Sequence, residues 1–155
     1  MMQYKFSYET EIGNLTFVEE EGALTYLNLR PVLGGETRET PLIQESYQQL
    51  LAYLAGTRLT FDLPVAPKGT PFQQQVWQAL QTIPYGETRS YKQIAELIGN
   101  PNACRAVGMA NNKNPVFIII PCHRVIGANG KLIGYGGGLP LKEQLLQLEQ
   151  FTYNL

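Results

Sequence analysis

The chain has 155 residues, 44% of them hydrophobic and 16% charged, which is enough to bury the core of one compact domain or two small ones. No apolar run, Val116–Ile120 included, approaches the roughly 20 residues that cross a bilayer, and the first residues lack the basic start and apolar stretch of an export signal, so a cytoplasmic setting without membrane contact is expected. The formal net charge of −1 hides an asymmetry: residues 1–67 hold four Lys and Arg against nine Asp and Glu, whereas residues 68–155 hold eight against four, an excess of +4 that points the second half toward a polyanion.

Residues 1–67 read as a small antiparallel sheet with a helix on it. Gln3–Tyr8, Gly13–Val18 and Ala23–Leu29 alternate apolar and polar side chains, with Gly13 and Glu21-Gly22 as turn signals. Pro41 stands where a first helical turn tolerates it, and Leu42, Ile43, Tyr47, Leu50, Leu51 and Leu54 recur at helical spacing until Gly56 stops the run. Leu59–Leu63 is expected to be a short strand, and Pro64–Gly69 a linker. Nothing in this part looks catalytic.

Residues 68–155 read as mostly helical, which makes the whole an α+β protein. Thr70 caps a helix with Pro71 at its first position and Phe72, Val76, Ala79, Leu80 and Ile83 as its buried stripe, and Pro84-Tyr85-Gly86 ends it. Ser90 caps a second helix with Tyr91, Ile94, Ala95 and Ile98 on one side. Gly99-Asn100-Pro101 is expected to end that helix and start a third, Asn100 as cap and Pro101 at the first position, and the short turn between them fits a helix-turn-helix. Val116–Ile120, apolar and β-branched, is expected to be a buried strand or extended segment. After a glycine-rich stretch, Leu141, Leu145 and Leu148 mark a last helix opened by Pro140.

Ile120-Pro121-Cys122-His123-Arg124-Val125 has the parts of an activated thiol. The nucleophile is the thiolate, and an unperturbed cysteine with a pKa of about 8.5 is mostly protonated at neutrality. A histidine that takes the proton, itself oriented by a carboxylate, removes that handicap. Taken alone the pair is weak evidence of chemistry, because buried free cysteines are common and inert. Glu149 lies four residues after Leu145 and eight after Leu141, at the edge of the last helix's apolar stripe, where a carboxylate is costly unless paired. His123, the only histidine of the chain, is one partner for it. A rim position in solvent or a salt bridge to Arg124 or Lys142 are the others, and the sequence leaves the choice open.

Pro121-Cys122-His123-Arg124-Val125 resembles the active-site signature of the O6-alkylguanine-DNA alkyltransferases. The likeness extends through Thr70-Pro71-Phe72-Gln73, Ile83-Pro84-Tyr85-Gly86, Ser90-Tyr91, Gly99-Asn100-Pro101, Arg105-Ala106-Val107-Gly108, Asn114-Pro115-Val116, Gly134-Tyr135, Gly137-Gly138 and Lys142-Glu143 to Glu149, all in family order over roughly residues 70–150. The resemblance implies a ribonuclease H-like N-terminal domain, residues 1–67, and a C-terminal domain, residues 68–155, that binds DNA and accepts the alkyl group. It implies direct repair: the thiolate of Cys122 attacks the alkyl carbon on O6 of guanine, and more weakly on O4 of thymine, and each molecule reacts once because a thioether has no easy return route. Cys122, His123 and Glu149 match a cysteine–water–histidine–glutamate relay, and Asn114 matches an asparagine that braces this region.

The resemblance also assigns the delivery of the base. A base inside a duplex cannot reach a buried thiol, so the nucleotide is flipped out, with unstacking of a few kcal/mol. Arg105 matches the arginine that fills the gap left in the stack, and Tyr91 the tyrosine that drives rotation at the target phosphate. Ala103, Ala106 and Gly108 are small enough for close approach to a minor groove, and Lys92 and Asn100 are expected phosphate contacts. Val125 and the Tyr135-Gly136 loop match the walls of the base pocket. The expected partner is double-stranded DNA carrying O6-alkylguanine, met by a monomer without cofactor. The zinc-ligating cysteines and histidines of longer relatives are lacking, so no metal is expected. Two departures stand out: Cys104 replaces a customary alanine beside Arg105, and Gly136 a customary serine or alanine. Two competing readings remain at this point, a helix-turn-helix binding module with an inert Cys122 and a thiol hydrolase using Cys122, His123 and Glu149.

Overall fold

A computed structural model of the chain describes residues 2–130 and 138–153, without the side chains of 151–153. It has two compact units, Met1–Lys68 with Pro115–Phe117, and Gly69–Asn114 with Ile118–Leu155.

The first unit is a four-stranded sheet in the order β3-β2-β1-β4 with one helix. Strands β1 (Gln3–Thr10), β2 (Gly13–Glu20) and β3 (Ala23–Asn28) form the expected antiparallel meander. The turn between β2 and β3 holds Glu21 at φ 51° and Gly22 at φ 79°, two left-handed residues in succession, as the tightest hairpin turns require. A two-residue strand that the pattern does not reveal, β4 (Glu36–Thr37), joins parallel to β1 and makes the sheet mixed. Helix α1 (Pro41–Leu54) is capped by Thr40, whose Oγ1 accepts from the amide of Ile43. It lays Tyr47 flat on Tyr8, ring centroids 3.7 Å apart at 7°. Its buried face is Ile43, Ser46, Gln49, Leu50 and Tyr53, rotated from the expected stripe so that Leu51 is exposed.

Leu59–Leu63 is not a strand, contrary to expectation. Gln49 takes the place of a neighbouring strand: its Oε1 accepts from the amide of Asp62 at 2.9 Å and its Nε2 donates to the Asp62 carbonyl at 3.2 Å. A side chain that satisfies both backbone groups removes the reason to pair. Strand pairing resumes at Val65, inside the expected linker, which bridges parallel to Leu24, while Val116 bridges parallel to Leu27. The outer edge of β3 is thereby covered.

In the second unit, α2 (Pro71–Leu80) and α3 (Tyr91–Leu97) each open with a reciprocal capping box, Thr70 with Gln73 and Ser90 with Gln93. Trp77 completes the buried stripe of α2 and donates from Nε1 to the carbonyl of Ala110 at 2.9 Å, pinning α2 to α4 (Cys104–Asn112). The start of α4 corrects the sequence reading. Ala103, not Asn100, is its N-cap, and Asn100 instead accepts the Ala103 amide in a turn. The reason is burial: Pro101 and Asn102 are exposed, and the apolar face begins only at Val107, so packing extends the helix no further back. Two short strands, β5 (Arg89–Ser90) and β6 (Val125–Ile126), pair in parallel, and α5 (Leu139–Tyr153) closes the described chain.

The run Val116–Ile120 is also corrected. Only Val116 pairs, and the chain then turns through Ile118 at φ 71°. A β-branched residue in that region is a true outlier, held by its surroundings. Asn114 spans the segment, donating from Nδ2 to the carbonyl of Ile120 at 2.8 Å.

Candidate active site

Cys122 opens a single 3-10 turn, Cys122–Arg124, entered through Pro121, with the Cys122 amide donating to Ile120 at 2.8 Å and the Arg124 amide to Pro121 at 3.0 Å. The turn runs straight into β6, whose pairing with β5 fixes it against the N-terminus of α3. All three side chains of the turn face inward: Cys122 is 1% exposed and His123 is fully buried.

His123 Nε2 lies 2.6 Å from Glu149 Oε2 on α5. Arg124 grips the same carboxylate twice, Nε to Oε1 at 2.8 Å and Nη2 to Oε2 at 3.1 Å, and donates from Nη1 to the carbonyl of Ile83 at 2.7 Å. Two partners left open by the sequence are therefore present together. Burial pushes the His123 imidazole below its usual pKa, Glu149 only partly opposes this, and Arg124 and Lys142 add to it. Burial would raise Glu149, but hydrogen bonds and charge from His123 and Arg124 outweigh it and hold the carboxyl at about 2. The result is a neutral imidazole against a carboxylate whose charge the guanidinium balances. With Nε2–H committed to Glu149, the tautomer leaves Nδ1 as the acceptor, the state a proton-accepting base requires.

Two further residues, Lys142 and Asn111, sit beside this group. Lys142 on α5 is fully buried, with Nζ 5.8 Å from the centre of the Tyr91 ring. Burial lowers its ammonium to about 8, while electrostatic interaction with Cys122 pulls the other way. The signal was in the spacing: Lys142, Leu145 and Glu149 share one helical face at i, i+3 and i+7. Asn111 on α4 is buried and donates from Nδ2 to the Cys122 carbonyl at 3.3 Å.

The other expected residues fall into two groups. Tyr91 and Val125 join the cluster: Tyr91 is the half-buried first residue of α3, its hydroxyl pushed upward in pKa by burial and then by Cys122, and Val125 is fully buried in β6. Arg105 and Ala106 are exposed on α4, Ala103 and Gly108 are half-buried, and Lys92 and Asn100 are exposed. A Cβ at Gly108 would make an ordinary van der Waals contact with the Tyr91 ring at 3.8 Å, so packing within the unit does not demand glycine there. Cys104 is half-buried at the start of α4. Tyr135 and Gly136 lie outside the described residues.

Comparison with known proteins decides among the readings. Residues 71–151 match the family model described as 6-O-methylguanine DNA methyltransferase, DNA binding domain, and residues 3–67 match its ribonuclease-like domain. The chain belongs to the 6-O-methylguanine DNA methyltransferase family. Relatives named methylated-DNA–protein-cysteine methyltransferase include one from Methanosarcina acetivorans, 51% identical over 94% of this chain and 97% of its own, and a constitutive one from Bacillus subtilis, 49% identical over 98% of each. The Mycobacterium tuberculosis OGT structure in complex with DNA superposes with a TM-score of 0.89 at 48% identity, covering 96% of this chain and 94% of that one. The methyltransferase family is thus the one its cysteine motif resembles, and its α+β architecture, ribonuclease-like domain first, is the one expected.

Proposed function

We propose that this methyltransferase-family chain repairs DNA by moving the alkyl group of O6-alkylguanine onto Cys122, once per molecule. The observation that carries the reading is the buried 2.6 Å contact between His123 and Glu149 in the turn that Cys122 opens. It provides a neutral base, oriented and charge-balanced, next to a thiol that must lose its proton. The thiol proton passes to His123 Nδ1 through one water. The sulfur lone pair then forms the S–C bond as the C–O6 bond breaks, and the electron pair stays on the guanine oxygen. The proton that left the thiol returns from His123 by way of solvent to neutralise that oxyanion, so the net transfer restores guanine and leaves a thioether. Lys142 contributes a positive charge beside the forming thiolate and over the Tyr91 ring.

A thiol that is 1% exposed reacts only with a group brought to it. This supports extrusion of the nucleotide: Arg105, exposed on α4, occupies the vacated stack, Tyr91 acts at the target phosphate, and Lys92 and Asn100 hold neighbouring phosphates. Val125, Tyr135 and Gly136 line the base pocket. Thymine alkylated at O4 is a weaker substrate. The protein works as a monomer without cofactor, in the cytoplasm, and no helix among the described residues is long and apolar enough to cross a membrane.

The test is incubation with duplex DNA bearing labelled O6-methylguanine. Label should move to Cys122, stop at about one per protein as a thioether with no return route requires, and vanish in Cys122→Ser. DNA binding without label transfer, or turnover beyond one equivalent, would overturn the proposal.

A further inference from the structure

We infer that Asn111 is a positioning residue for Cys122. From the helix that carries Arg105, its amide holds the carbonyl of the cysteine, so that the thiol keeps its place relative to the helix offered to DNA. The inference rests on the reading of Cys122 as the alkyl acceptor.

The geometry is a single tether. Asn111 is 1% exposed, and its Nδ2 donates to the Cys122 carbonyl at 3.3 Å. Arg105 lies six residues earlier on α4, about 9 Å along the helix axis. The same turn of α4 is pinned to α2 by the Trp77–Ala110 hydrogen bond, which makes it a fixed point. Asn114 reaches the Ile120 carbonyl from just beyond the helix. Two amides three residues apart thus grip the segment that delivers the thiol, one at Ile120 and one at the reacting residue itself.

Stability alone does not explain an amide at position 111. The Cys122 carbonyl already accepts from the amide of Val125, so it would not be left unsatisfied without Asn111. The other end of the side chain, Oδ1, is buried with no hydrogen-bond partner among the described residues. A buried acceptor without a partner opposes folding. Leucine has the same branching and no polar atom, and would strand no polar group there. An amide retained against that gradient is best accounted for by what Nδ2 holds.

The test uses the full chain with Asn111→Leu, and Asn111→Ala in case the larger side chain overfills the site. Single-turnover label transfer is measured against duplex concentration, with thermal unfolding alongside. The limiting rate should fall about tenfold to a hundredfold, the range that a small misplacement of a reacting group produces. The half-saturating DNA concentration should stay within about twofold, because no DNA-facing group has changed. The Asn111→Leu melting temperature should be unchanged or higher. A wild-type limiting rate in both variants, or a rate loss that tracks a loss of melting temperature in both, would overturn the inference. Absence of label on Cys122 in the unsubstituted protein would instead overturn the reading beneath it.

Discussion

Glu20 in the first unit and Glu149 in the second are both buried carboxylates held below their usual pKa, yet they are held in opposite ways. Glu20 is lowered chiefly by Lys68, whose Nζ lies 2.6 Å away on a side chain 64% exposed, and it accepts from Thr25 at 2.9 Å. Its partner reaches in from water, so solvent screens the pair. Glu149 is instead held from the interior, by the His123 imidazole and the Arg124 guanidinium. The first arrangement fastens a sheet edge. The second keeps a buried histidine neutral, the state that the proposed proton transfer from Cys122 requires.

The sharpest way to break this contrast is to neutralise each carboxylate. Glu149→Gln strands a buried guanidinium and should lower stability by about 3–5 kcal/mol, with alkyl transfer slowed about 10²–10⁴-fold as the base loses its orientation. Glu20→Gln should cost under about 1 kcal/mol and leave transfer unchanged. Denaturant unfolding and single-turnover assays of the two variants decide it, and equal losses would erase the distinction. A smaller effect separates the buried cluster from the exposed face of α4. Arg105→Ala should slow transfer from duplex DNA about tenfold to a hundredfold, in line with the few kcal/mol of unstacking that its proposed place in the stack would offset. It should leave reaction with free O6-benzylguanine as it was, and equal losses on both substrates would remove the flipping role. The smallest effect is in acid. His123 resists protonation when folded, so below pH 6.5 the unfolded chain binds more protons and stability falls as pH falls. Glu149 and Glu20, both lowered, extend the fall below pH 4.5. His123→Gln should flatten the upper leg, and Glu20→Gln only the lower one. Stability curves from pH 7 down to about 2 check the assignment.

What could be read in advance was local. Thr70 with Pro71, Ser90 before Tyr91, and Pro41 mark helix starts because capping and proline geometry act within four residues. The Cys122-His123-Arg124 triplet announces itself by residue type, and Glu149 by its place on an apolar face. What escaped was non-local. Gln49 replaces a strand partner for Asp62 across thirteen positions of sequence. Proline chemistry at Pro101 pointed to a helix start that burial moved to Cys104. Asn111 looks like an ordinary polar residue until its neighbours are known.

The sequence by itself determined Cys122, His123 and Glu149 as candidates and the helix that carries Glu149, since residue type and short-range periodicity are properties of the chain alone. Only the tertiary structure decided that Glu149 is shared by His123 and Arg124, that Lys142 lies over Tyr91, and that an amide of α4 reaches the Cys122 carbonyl. Those pairings join residues far apart in the chain. Their strength comes from exclusion of water, which no short stretch of sequence contains.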